Sequence, residues 1–71
     1  MMKRFVIIAE HETGKVLHQD GSRYQEGDQD YRLPFDSVDD AVDFSEGHRE
    51  IHRDHECLIV DEIGKCLHLI R

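Results

Sequence analysis

The stretch His48-Arg49-Glu50-Ile51-His52-Arg53-Asp54-His55-Glu56-Cys57 places three imidazoles, three carboxylates and a thiol within ten residues. On a continuous helix His48 and His52 share one face. An i, i+4 histidine pair presents two nitrogens to zinc or a similar divalent transition metal. A third ligand from His55, Asp54 or Cys57 needs a chain reversal after the helix. His48, His52, His55 and Cys57 are therefore the candidate metal site, and the same imidazoles suit a proton sensor. The competing expectation is a polar helix end, where His and Arg sit favourably against the exposed carbonyls and the negative end of the dipole. The fuller HExxH pattern of zinc hydrolases is absent.

Two further histidines stand out by position. Glu12-Thr13-Gly14-Lys15-Val16-Leu17-His18 recurs as Glu62-Ile63-Gly64-Lys65-Cys66-Leu67-His68, identical at five of seven positions. If the two copies are related by a pseudo-twofold, His18 and His68 approach each other and form a pH-sensitive pair. The plainer expectation is that both are amphipathic strand residues carried along with the repeat.

Other chemistry finds little support. Cys57 and Cys66 are expected as separate thiols, because hairpin pairing offsets them by four residues along the strand, roughly 13 Å. The five glycines are scattered and build no phosphate loop, and no nucleophile stands beside an evident base. An enzyme therefore ranks behind a binding role.

Around these residues the elements are readable. Each copy of the repeat follows an apolar run, Phe5 to Ala9 and Leu58 to Val60, so each reads as strand, Gly-containing turn, strand. With Thr13-Gly14 and Ile63-Gly64 as central turn residues, Glu12 faces Lys15 and Glu62 faces Lys65. Asp20 to Asp30 reads as a polar loop with a short extra strand near Arg23-Tyr24. Pro34 lacks an amide hydrogen, so Tyr31 to Phe35 belongs on an edge strand or in extended coil, with Tyr31, Leu33 and Phe35 turned to the core. Ser37 caps a helix, Asp39 and Asp40 suit its first turn, and Val38, Ala41, Val42 and Ser45 form its buried stripe, flanked by Phe44. Gly47 either ends this helix or is tolerated within one reaching about Arg53.

The expected fold is α+β: two layers, an antiparallel sheet of four to five strands and one helix, in the order ββ(β)αββ. Residues 1–71 make one small domain, with the terminal hairpins as an internal repeat. One helix covers one sheet face. The other, expected to carry Phe5, Ile7, Ala9, Val16, Ile59 and Ile70, is left apolar and uncovered, which points to a homo-oligomer or a protein partner.

Charge narrows the partners. Sixteen acidic residues against nine Lys plus Arg give −7, the wrong sign for a phosphate backbone or an anionic membrane. Protonating the six histidines takes −7 to −1, so self-repulsion should change near pH 6. The carboxylates Asp36, Asp39, Asp40, Asp43, Glu46 and Glu50 make an acidic helix face, expected to be solvated. The apolar run after Arg4 is too short for a secretory leader, no membrane span is present, and two cysteines suit a reducing compartment, so the expectation is cytoplasmic.

Overall fold

In a computed structural model, residues 3–28 and 31–71 are described. The chain runs β1 (Arg4–Glu10), β2 (Val16–Leu17), β3 (Leu33–Phe35), α1 (Val38–Ile51), β4 (His55–Val60) and β5 (Cys66–Ile70). The sheet is antiparallel in the order β2-β1-β4-β5, and β3 pairs with β1 beside β2. This is the expected α+β architecture with one helix on a five-stranded sheet.

Alternation along β1 divides the two faces. Val6 and Ile8 point to the helix, opposite Ile59 and Cys57 of β4. With Leu17 and Ala41 they form the core, all at most 2% exposed, and Leu33, Phe35, Val42, Phe44 and Ile70 pack around it. Ile59 and Ile70 therefore do not belong to the uncovered face, as the sequence reading had them. In their place, Leu58, Val60 and Leu69 share that face with Phe5, Ile7, Ala9 and Val16. Pairing within the second hairpin leaves open which of its faces meets the helix. The register of β4 against β1 decides it.

Both hairpin turns also differ from expectation. A two-residue type I′ turn demands positive φ at both central residues, which is costly for the β-branched Thr13 and Ile63. The longer loops confine positive φ to the glycines, 71° at Gly14 and 89° at Gly64. In the first hairpin the Glu10 amide donates to the Lys15 carbonyl at 2.8 Å, leaving four residues in the loop. In the second the Asp61 amide donates to the Lys65 carbonyl at 3.0 Å, leaving three.

The helix starts where Ser37 Oγ accepts from the Asp40 amide at 3.1 Å, with Asp39 and Asp40 in its first turn. It continues through Gly47 to Ile51, and the His52 amide closes it on the His48 carbonyl. Ala41, Ser45 and His48 are its buried positions, spaced i, i+4 and i+7. β3 keeps Pro34 on a sheet edge and packs Leu33 and Phe35 on the core. Tyr31 instead packs edge-to-face with Tyr24, their ring centres 4.8 Å apart. The extra strand near Arg23 is a single bridge to Leu17, with the Tyr24 amide donating to the Val16 carbonyl. Residues 29 and 30 of the polar loop lie outside the described residues. No helix among the described residues is long and apolar enough to cross a membrane.

Candidate functional site

The helix end and the start of β4 bring His48, His52 and His55 together. His48 belongs to the buried stripe of α1, His52 is its C-cap, and His55 opens β4 opposite Glu10. Only His52-Arg53-Asp54 separates the helix from the strand, and the His55 amide donates to the His52 carbonyl at 3.1 Å. That tight reversal returns His55 to the face of His48. Their rings touch through His48 Nε2 and His55 Nδ1, 3.1 Å apart, and the two residues are 8% and 7% exposed.

His52 lies against both. Its ring is 4.9 Å from His55 at 6° and 4.5 Å from His48 at 29°, an offset stack. Phe44 continues the column beyond His48, and Phe35 beyond Phe44. Imidazole lone pairs lie in the ring plane, so His52, stacked over the other two rings, directs its own alongside them and not to the point where His48 Nε2 and His55 Nδ1 meet. Among the described residues, no group of three or more His, Cys, Asp or Glu side chains is placed to hold a metal ion. Cys57 lies one inward position further along β4, fully buried in the core. Burial raises its thiol above the ordinary cysteine range, with the Ser45 hydrogen bond opposing. Cys57 and Cys66 are both free thiols.

Burial lowers the pKa of His48 below the ordinary histidine value, and the neighbouring His52 and His55 add to the effect. Arg49 braces the same corner, its Nε donating to the His55 carbonyl at 2.8 Å and its Nη2 to the Arg53 carbonyl at 3.4 Å.

His18 and His68 do not meet. His18 directly follows β2 and His68 lies in the middle of β5, and these are the outermost strands of the order β2-β1-β4-β5, three strand spacings or roughly 14 Å apart. His18 Nε2 instead contacts Asp28 Oδ2 at 2.9 Å, and that hydrogen bond leads in holding the Asp28 carboxyl below its ordinary range. His68 is exposed on β5, opposite Ile59.

The second region is the sheet face turned away from the helix. Ile7, Leu58 and Leu69 are successive cross-strand partners, so they form an apolar row across β1, β4 and β5. Phe5 opposite Val60 forms the next row, with the Arg32 guanidinium 4.7 Å from the Phe5 ring centre. Phe5, Ile7, Val16 and Leu58 are half-buried, and Ala9 and Val60 are buried. Exposure rises towards β5, to 36% at Leu67 and 44% at Leu69. At one end of this face Glu56 lies between His11, at 3.4 Å, and Arg71, at 3.9 Å.

Sequence reasoning reached the three histidines but missed the burial of His48. Its signal was present, since His48 continues the i, i+4, i+7 stripe of Ala41 and Ser45. Leu67 and Leu69 were missed as surface residues because the two faces of the second hairpin are about equally apolar. Compared with known protein families, curated proteins and solved structures, the chain matches none.

Proposed function

We propose that this protein is a non-enzymatic interaction domain that associates with a second copy of itself through the helix-free sheet face. The observation that supports this reading is the Ile7–Leu58–Leu69 row, which no helix covers and which is most exposed at β5. Burying apolar surface of this kind contributes about 25 cal/mol per Å². Contiguous exposed apolar patches commonly mark association sites. The helix face carries the acidic residues Asp39, Asp40, Asp43, Glu46 and Glu50, all exposed, so copies meeting through the opposite face keep these charges apart.

Light scattering from micromolar to millimolar protein tests the reading. The wild type should pass from monomer to dimer across that range. Leu69→Glu, at a position exposed enough to leave folding intact, should remain monomeric. A wild type that is monomeric throughout overturns the proposal.

A further inference from the structure

The contact between His48 and His55 joins two elements through one shared proton. Neutral imidazole has one N–H donor and one bare nitrogen, so an Nε2···Nδ1 contact of 3.1 Å is a hydrogen bond only while one of those two nitrogens is unprotonated. When both rings carry two protons, N–H faces N–H and two positive charges meet where both residues are more than nine-tenths buried. His52, stacked on both rings, offers no relief, because its own protonation adds a third like charge.

We propose that His48 and His55 form a proton-operated latch between the end of α1 and the start of β4, closed while one proton lies between the two rings and released when a second arrives. The latch holds the His52-Arg53-Asp54 turn. It also reaches the first hairpin, because the His11 amide donates to the Asp54 carbonyl at 2.8 Å.

The groups around it set the sense of the response. From α1 come His52 and Arg49, and Arg49, with its guanidinium on the His55 carbonyl, opposes added positive charge. From the turn, Asp54 Oδ1 lies 4.0 Å from His55 Nε2, and Asp54 is itself exposed. From β1, Glu10 stands opposite His55, but its carboxylate already accepts from Thr13 and pairs with Arg23 at 3.6 Å. Gly21 packs beside the His55 ring, and a methyl group added there would meet Cε1 at 3.9 Å. The His48 side faces Phe44 and the other two imidazoles, with no carboxylate of its own among these contacts.

The sign follows from linkage. His48 titrates lower in the folded protein than in the unfolded chain, so the unfolded chain takes up more protons as pH falls. The latch therefore contributes its full stability above the ordinary histidine value of about 6.5 and loses it as pH falls through the folded value.

Amide hydrogen exchange read by NMR from pH 7.5 to 5, with EDTA present and corrected for the intrinsic pH dependence of exchange, tests this inference. The His52 and His55 amides, which close the helix and the turn, should lose at least about tenfold in protection relative to the core amides of Val6 and Ile59, the factor that one pH unit of linked protonation supplies. His48→Phe, which keeps a ring against Phe44, should abolish the differential loss. The latch is refuted if the two amides follow the core amides throughout, or if His48→Phe leaves the differential unchanged. A parallel series with zinc replacing EDTA separates the other chemistry: zinc that holds the pair against acid assigns these histidines to a metal and overturns the latch.

Discussion

The two copies of Glu-x-Gly-Lys-x-Leu-His have the same local residues and opposite fates. In the first, Leu17 pairs with Ile8 and is 2% exposed in the core. In the second, His68 pairs with Ile59 and Cys66 with Val60, so Leu67 is an extra residue with no partner and is 36% exposed. The bulge gives His68 the inward position that Leu17 takes in the first copy. The cause is register and not edge position, since β2 and β5 are both outermost strands: β2 stays in step with β1 and turns Leu17 to the core, whereas the bulge in β5 takes Leu67 out of the ladder. A repeated string thus specifies a turn and a strand pair, and the surrounding sheet specifies which residue is buried.

The largest test of this contrast is truncation of the two leucines. Leu17→Ala should cost about 2–4 kcal/mol in denaturant unfolding, because the core closes only partly around the lost methyls. Leu67→Ala should stay within about 0.5 kcal/mol, as expected for a surface change. Similar losses at the two positions would break the comparison.

The glycines sharpen it from the other side, since here the copies should agree. Gly14→Ala and Gly64→Ala each force an L-residue to positive φ and should each cost about 1–2 kcal/mol, although neither glycine has a neighbour that a methyl group would strike. Gly47 is the control. It is helical and exposed, with open space where a Cβ would stand, so Gly47→Ala should raise stability by about 0.5–1 kcal/mol.

The smallest effect separates the two repeat histidines. His18→Gln removes the contact that leads in lowering the Asp28 carboxyl, so an NMR titration should find Asp28 moved back towards its ordinary value of 3.8. Stability from that depressed carboxyl is present above pH 3.8 and is lost as pH falls through the folded value. His68→Gln should leave Asp28 where it is.

Much of the architecture was legible because it rests on local signals. Ser37 with Asp39 and Asp40 marked the helix start, Pro34 marked an edge strand, and two Gly-Lys turns marked the hairpins. The facing of the second hairpin was not legible. Leu58 and Val60 alternate with Cys57 and Ile59, and only pairing with Phe5–Ala9, 47 to 55 residues away in the chain, decides between them. For the histidines, sequence spacing brought His48 and His52 onto one helix, but the His55 contact depends on a three-residue reversal that composition does not specify.

Self-association is expected at the β5 side of the helix-free face. It is tested most directly by methyl NMR of the wild type on dilution from millimolar to micromolar. If two copies meet there, the Ile7, Leu58, Leu67 and Leu69 methyl resonances move with concentration while those of Val6 and Ile59 in the core do not. Shifts absent everywhere, or centred on the helix side at Val38 and Val42, would contradict it.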